Sequence, residues 1–243
     1  MLADDQLVRD SLDELAQMAR WIRGGSSKER FRLSLIGGWA VHAYNPWFGS
    51  QDIDFLSGRG ERKTLMQWLR SERGFVPRRD VGEGLQTLSK TATGGNINVE
   101  FLRADADFRF EGEGAAFPLR PVFSRVAWRR VEGIELPVPG KEDLFVLKAK
   151  AAWDRSWRLD NRRSEDAAYE RGKLAKDMGD LLALLDPTRG LHLDFSTLGK
   201  EMERYPFLLR LLQRDDLALA GADRYGLPGD KAREWFLRLT ALL

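Results

Sequence analysis

Apolar residues recur along the first part of the chain at two spacings, and each spacing predicts a different kind of element. Helical spacing predicts an amphipathic helix over residues 4–23 and another over Glu61–Arg73. Short apolar runs predict strands over residues 31–36 and 51–57. Helices and strands therefore alternate from the start, which favours a sheet with helices packed on it.

A β-hairpin is predicted further along the chain. Turn residues at Thr93–Asn96 separate two apolar runs, residues 85–91 and residues 96–102. In the second run the apolar side chains alternate with Asn98 and Glu100. These two polar side chains therefore share the face opposite the apolar one.

We place a domain boundary at Pro139, where the pattern changes. Residues 104–118 are rich in glycine and charge and predict a loop, whereas residues 120–138 alternate enough to predict one or two strands. Beyond Pro139 only helical spacing occurs. The predicted helices are Lys141–Trp157, Lys173–Leu185, Thr197–Arg204, Pro206–Arg214 and Asp230–Leu243. The predicted fold class is α+β (α/β), with a small mixed sheet and flanking helices over residues 1–138 and a helical domain over residues 139–243.

The net charge and the numbers of cysteine and histidine residues limit the kinds of binding site that the chain can form. The 243 residues carry a net charge of +2, which is too near neutral for nucleic-acid binding through bulk charge. There is no cysteine, and His42 and His192 are the only histidines, so thiolate and histidine-rich metal sites are excluded. Carboxylates remain as metal ligands, which favours Mg²⁺ or Mn²⁺. No apolar run reaches the roughly 18 residues that span a bilayer, and the polar N-terminus is not signal-like, so we expect a cytoplasmic protein without a membrane segment.

Three carboxylates stand in strands that are otherwise apolar. Asp52 and Asp54 lie two residues apart and face the same way, and Glu100 lies on a later strand. Like charges on neighbouring strands are destabilising unless a cation lies between them. The set therefore predicts a divalent metal site, the alternative being solvated carboxylates on the open face of a sheet.

Glycines precede these carboxylates. Gly37 and Gly38 connect a strand to a helix, where glycine lets the backbone approach a phosphate closely. Ser50 stands just before the second strand and can donate its hydroxyl to the same phosphate. The alternatives are a tight turn that needs glycine for steric reasons and a serine that caps a turn.

The whole pattern resembles the DNA polymerase beta-type nucleotidyltransferase superfamily. Gly37-Gly38, thirteen residues, Asp52-Ile53-Asp54 and a later strand ending in Val99-Glu100-Phe101 match its glycine pair, its Asp-x-Asp and its third carboxylate. The resemblance implies that residues 1–138 form the catalytic domain. It makes Asp52, Asp54 and Glu100 catalytic and metal-binding. It also implies an NTP substrate whose β- and γ-phosphates are held by Gly37, Gly38 and Ser50.

A second resemblance lies in the helical part. Lys148, Ala151 and Arg155 match the Lys-x-x-Ala-x-x-x-Arg motif of AbiEii-type nucleotidyltransferase toxins, and residues 176–181, with Asp177 and Asp180, match the motif that follows it there. By this resemblance Lys148 is catalytic and nucleotide-binding, Arg155 is nucleotide-binding, and the two aspartates orient those cations. The chain departs from the toxins at Phe48-Gly49-Ser50, where they have Arg-x-Thr, and in an insert of about twenty residues between the two motifs.

The resemblances imply transfer of a nucleoside monophosphate from an NTP to an acceptor hydroxyl. The AbiEii-type branch implies a toxin that acts on tRNA or protein, together with an antitoxin protein partner. The open alternatives are an aminoglycoside-type adenylyltransferase with a small-molecule acceptor and a non-catalytic nucleotide-binding module on the same fold. A stacking surface for RNA is also suggested by Trp153 and Trp157, which stand among Arg155, Arg158, Arg162 and Arg163.

Overall fold

The computed structural model describes residues 6–24, 33–78, 86–189 and 192–242. The chain divides into two compact units. The first unit comprises Met1–Asp107 and Pro118–Gly140, and the second comprises Phe108–Phe117 and Lys141–Leu243. Up to residue 140 the elements in chain order are α1 (Gln6–Gly24), β1 (Leu33–Ile36), α2 (Gly37–His42), β2 (Ile53–Ser57), α3 (Arg59–Glu72), β3 (Val76–Pro77), β4 (Gln86–Ala92), β5 (Gly95–Arg103), β6 (Asp107–Arg109), β7 (Ala116–Pro118), α4 (Leu119–Ser124), β8 (Val126–Val131) and β9 (Ile134–Pro139).

The first unit is built on a five-stranded mixed sheet. Its strand order is β1-β2-β5-β4-β3, and β2 and β5 are its parallel pair. The predicted hairpin forms with Thr93 and Gly94 at its turn, so that β4 and β5 pair antiparallel. Fully buried side chains on one face form the core, where Phe55 stacks on Phe101 with ring centroids 6.1 Å apart. This burial of one face leaves the other face of the strands to carry polar residues.

Helices complete the first unit as the apolar pattern predicts. The helix predicted over residues 4–23 is α1, which buries Leu15, Met18 and Ile22 on one side. α1 contacts β5, and α2 contacts β1 and β2. The antiparallel pair β8 and β9 contacts β1 through β9.

The second unit is helical apart from residues 108–117. Its helices are α5 (Lys141–Asp160), α6 (Ala167–Leu185), α7 (Phe195–Met202), α8 (Pro206–Leu212), α9 (Asp215–Tyr225) and α10 (Gly229–Leu242). α6 packs on both α5 and α9. The stretch 108–117 joins this unit because Phe110 and Phe117 pack on Tyr205, whose hydroxyl donates to the Ala116 carbonyl at 3.0 Å.

The predicted fold class is confirmed: a mixed sheet with flanking helices is followed by a helical C-terminal part. Several local predictions were wrong. Residues 104–118 are not a simple loop, because β6 and β7 pair with each other. Val122 lies in α4 rather than in a strand, and α9 was not predicted. The strand predicted over residues 51–57 begins at Ile53, so Asp52 precedes it.

Candidate active site

The predicted site residues fall into two groups, one in each unit. In the first unit Asp54 on β2 and Glu100 on β5 are register partners in the parallel pair. Partners on neighbouring strands project to the same face, so the two carboxylates lie side by side on the sheet. Ile53 and Phe55, which flank Asp54, are fully buried on the other face, whereas both carboxylate residues are half-buried. The alternation predicted from the sequence thus turns Asp54 and Glu100 away from the core.

Asp52 reaches the same face although it lies just before the strand. Asn98 Nδ2 donates to Asp52 Oδ1 at 3.0 Å, and Asn98 lies two residues before Glu100 on β5. We call Asp52, Asp54, Asn98 and Glu100 the carboxylate face. Asn98 was not predicted to be a site residue, although its alternation with Glu100 along the strand was the signal for it.

Gly37 lies against Asp54 so closely that only glycine fits. Ile36 is the register partner of Asp54, and the chain turns into α2 at Gly37 with φ of +71°. A Cβ atom on Gly37 would overlap the Asp54 carboxylate, since it would lie 2.7 Å from Asp54 Cγ. The backbone at Gly37 and the Asp54 carboxylate are therefore in direct contact, and this contact requires the absence of a side chain.

We expect Gly37→Ala to destabilise the protein more than Gly94→Ala does. Gly94 is a matched control because its φ is +87° and nothing lies within 4 Å of a Cβ placed there. The control should lose about 1–2 kcal/mol through its left-handed backbone alone. Gly37→Ala carries that cost and the overlap with Asp54 as well. Urea unfolding of both variants measures the difference, and equal losses would contradict the contact described for Gly37.

The other predicted phosphate-binding residues flank the same strands. Gly38 is buried in α2, and Ser50, three residues before β2, is 5% exposed. Gly49 just before it has φ of +83°, so the chain turns sharply there. The phosphate contacts expected of Gly38 and Ser50 stay predictions.

α2 and the turn that follows it are held in place by partners from three other parts of the first unit. Trp39 is fully buried and its Nε1 donates to Ser11 Oγ at 3.0 Å. His42 Nε2 lies 2.8 Å from Glu132 Oε1, and burial lowers the pKa of His42 although Glu132 opposes that shift. The Tyr44 hydroxyl donates to the Pro139 carbonyl at 2.6 Å. These contacts fix the backbone that presents Gly37 to Asp54.

Carboxylate oxygens of this face suit a divalent metal ion. Within the described residues, no three histidine or acidic side chains come close enough together to enclose a metal by themselves. Mg²⁺, however, is usually held by one or two carboxylates together with substrate phosphates. Asp54 and Glu100, paired in register, offer such a donor set, and Asp52 already accepts a hydrogen bond from Asn98. The residues therefore fit a metal that binds together with a nucleotide.

The second group of predicted residues forms a buried ion-pair network between α5 and α6. Lys148 Nζ lies 3.0 Å from Asp177 Oδ1 and 2.6 Å from Asp180 Oδ2. Arg155 Nε donates to Asp177 Oδ2 at 2.8 Å, and its guanidinium also contacts Glu170. We call these five residues the α5–α6 network. Both cations that the sequence assigns to a nucleotide are thus already paired with carboxylates inside the second unit.

The charges in the α5–α6 network stabilise one another. Burial alone raises the pKa of Asp177, but Lys148 and Arg155 outweigh it and lower that pKa to about 2. Burial lowers the pKa of Lys148, and Asp180 and Asp177 outweigh burial and raise it above its ordinary value. Lys148 and Asp177 therefore stay ionised at neutral pH, and the network joins the two helices electrostatically. The nucleotide contacts and the catalytic role expected of Lys148 stay predictions.

The aromatic and basic stretch near Trp153 is used inside the second unit. Trp153 packs on Phe207 with centroids 4.8 Å apart and donates from Nε1 to the Glu111 carbonyl at 2.9 Å. Arg158 pairs with Glu111 and with Glu170. Two members of the expected RNA-stacking surface therefore make internal contacts that a nucleic acid would have to displace.

Among the helices in the described residues, none combines the length and the apolar character that a bilayer crossing requires. No protein-family model and no curated protein matches the chain. Among solved structures, it is similar to the crystal structure of an antigenic nucleotidyltransferase-like protein from Paracoccidioides brasiliensis. That similarity covers 86% of this chain and 93% of the other, at 16% identity and a TM-score of 0.43. At this level of similarity the role of each residue has to be argued from the site itself.

Proposed function

We propose that the protein is a metal-dependent nucleotidyltransferase that moves a nucleoside monophosphate from an NTP to an acceptor hydroxyl. One observation carries the proposal: Asp54 and Glu100 pair in register on parallel strands while the backbone of Gly37 lies directly against Asp54. This places two acidic groups beside a backbone that only glycine permits. Such an arrangement can hold a phosphate chain next to carboxylates that bind its counter-cation.

The reaction follows from these roles. The acceptor oxygen attacks the α-phosphorus of the NTP, a new P–O bond forms, and the bond to the β-phosphate bridging oxygen breaks, which releases pyrophosphate. Glu100 accepts the proton of the attacking hydroxyl as general base. The backbone at Gly37 and Gly38, with the Ser50 hydroxyl, holds the β- and γ-phosphates.

Asp54 and Glu100, with Asp52 beside them, would hold Mg²⁺ or Mn²⁺. When bound, such an ion neutralises charge on the phosphate oxygens and on the leaving pyrophosphate. The protein's own contribution is to fix the two carboxylates through the register of β2 and β5. Asn98 restrains Asp52 by its hydrogen bond, so the carboxylate face is organised before the nucleotide arrives.

Within this superfamily we favour the AbiEii-type branch. The support is that Lys148, Arg155, Asp177 and Asp180, which match its two helical motifs, contact one another directly. This branch brings with it a tRNA or protein acceptor and an antitoxin partner. The aminoglycoside-type branch differs in its acceptor, which is a small cationic molecule.

The acceptor is identified by incubating the protein with each of the four NTPs, labelled at the α-phosphate, and Mg²⁺. Parallel reactions contain total RNA, an aminoglycoside mixture, or the protein alone. The proposed branch predicts label in RNA or in protein, and label in the aminoglycoside supports the small-molecule branch. NTP binding by calorimetry without any Mg²⁺ dependence, and without label transfer to any acceptor, would overturn the enzymatic proposal in favour of a non-catalytic module.

A further inference from the structure

A basic cleft of about 940 Å³ lies between α3 and the edge of the sheet formed by β3 and the start of β4, and we call it the α3 cleft. Four cations line it: Arg59, Arg62, Lys63 and Arg70. They stand at positions 0, 3, 4 and 11 of the helix, so all four lie on one stripe of its surface. No acidic residue lines the cleft within the part of the chain that the structure describes.

The environment of Arg62 is the strongest indication that this cleft binds an anion. The residue is only 9% exposed, and its Nη1 atom is buried with no hydrogen-bond partner among the described residues. Burial, together with the charges of Arg103 and Arg59, lowers the pKa of Arg62 against the opposing effect of Asp105. A buried guanidinium donor without an acceptor destabilises the folded protein. An anion bound in the cleft would offset the positive charge that gathers around Arg62.

Two other cations of the first unit, unlike those of the cleft, are paired with a buried carboxylate. Arg73, just beyond the end of α3, pairs with the buried Glu14 at 3.1 Å, and Lys90 pairs with the same carboxylate at 2.6 Å. Arg59, Lys63 and Arg70 are exposed, and within the described residues no carboxylate pairs with them. The positive charge of Arg59, Lys63 and Arg70 in the cleft is therefore available to an anionic ligand, whereas that of Arg73 and Lys90 is not.

The length of the stripe identifies the class of anion. Arg59 and Arg70 are eleven residues apart, which corresponds to about 16 Å of helix. A row of this length suits several successive phosphates better than one phosphate ion. Three of the four cations are arginines, whose forked donors match phosphate oxygens. Met66 and Val76, which is 62% exposed, add apolar surface for bases or sugars.

We propose that the α3 cleft binds the phosphodiester backbone of a single-stranded polynucleotide. The binding step does not depend on the transfer chemistry. The further role of the cleft, which is to hold a nucleic-acid acceptor during nucleotide transfer, rests on the proposed function. Nothing in the carboxylate face is needed for this binding, because none of its residues lines the cleft.

Fluorescence anisotropy with a labelled 12-nucleotide RNA, and with DNA of the same sequence, tests the proposal without any NTP. Four neutralised phosphates predict a slope of about −2.8 for log affinity against log salt, or roughly fiftyfold weaker binding at 200 mM than at 50 mM salt. The double variant Lys63→Gln/Arg70→Gln should halve that slope and weaken binding at least tenfold at 50 mM salt. Both replaced residues are exposed, so the variant should stay folded.

Arg130→Gln is the matched control, because Arg130 is an exposed cation of the first unit outside the cleft. Its binding should equal that of the unaltered protein. Equal affinities of the double variant and the control would overturn the proposal, as would complete displacement of the oligonucleotide by millimolar inorganic phosphate. RNA and DNA binding alike supports backbone recognition. Oligonucleotide binding by a protein that transfers no nucleotide would overturn the proposed function and leave the α3 cleft proposal intact. Nucleotide transfer, together with unchanged oligonucleotide binding by the double variant, would overturn the α3 cleft proposal and leave the proposed function intact.

Discussion

Asp54→Asn is expected to lower nucleotide transfer by about a thousandfold or more while leaving the protein folded. Asparagine keeps the size of the side chain, so the contact with Gly37 is retained. It removes the negative charge that, in the proposed site, would hold the metal ion together with Glu100, its register partner on the neighbouring strand. Transfer should therefore fail at the chemical step, and the initial rate of label transfer from NTP measures it.

Asp13→Asn is the control for this substitution. Asp13 is an exposed aspartate on α1 in the same unit, and its replacement should leave the transfer rate unchanged. Circular dichroism and urea unfolding of both variants establish that they are folded. A folded Asp54→Asn variant that keeps more than about a tenth of the original rate would contradict the role assigned to Asp54.

Asp177→Asn is expected to destabilise the protein by about 3 kcal/mol at neutral pH. Asp177 accepts from both Lys148 and Arg155 in the buried α5–α6 network. Asparagine leaves these two largely buried cations with one negative charge fewer. Urea unfolding at pH 7 measures the loss. The control Asp223→Asn, at an exposed position of α9, should stay within about 0.5 kcal/mol of the unaltered protein.

The pH dependence separates loss of this charge from a general packing defect. The pKa of Asp177 is lowered from 3.8 to about 2 in the folded protein, so its stabilising effect is complete above about pH 5 and disappears as the pH falls toward 2. This shift corresponds to about 2 kcal/mol. The stabilities of the variant and the unaltered protein should therefore converge between pH 5 and pH 2. A constant difference over that range would contradict the charge-based explanation.

The carboxylate face shows what a sequence pattern can reveal about a site. Alternation along each strand is local, so it predicted that Asp54 and Glu100 turn away from the core. It did not reveal that β2 and β5 run parallel and in register, which brings together two residues 46 positions apart. Strand pairing depends on distant parts of the chain, and no spacing within one strand encodes it.

The wrong local predictions have equally physical causes. Val122 and Val126 are four residues apart, a spacing that suits a helix as well as a strand, and α4 takes the first of them. Residues 108–117 join the second unit because their aromatic side chains pack on Tyr205 and Phe207, about ninety positions later. The helix α9 had signals that were overlooked: acidic residues in its first turn and Gly226 at its end with φ of +76°.

The α3 cleft could not be recognised as a binding site from the sequence. The basic stripe on α3 is visible in the sequence, but exposed cations on a helix usually contact only water. The informative feature, which only the fold reveals, is that Arg62 Nη1 is buried with no hydrogen-bond partner among the described residues. Conversely, Lys148 and Arg155 were predicted from the sequence to bind phosphate, whereas in the fold both are paired with carboxylates.

The carboxylate face beside Gly37 is proposed to transfer a nucleotidyl group. Two parallel reactions with Mg²⁺ test it directly, one with NTP labelled at the α-phosphate and one with NTP labelled at the γ-phosphate. We predict that the α-label enters the acceptor, that the γ-label appears in pyrophosphate in equal amount, and that chelation of the metal abolishes both. Appearance of the γ-label in inorganic phosphate or on the acceptor, with no transfer of the α-label, would contradict the claim.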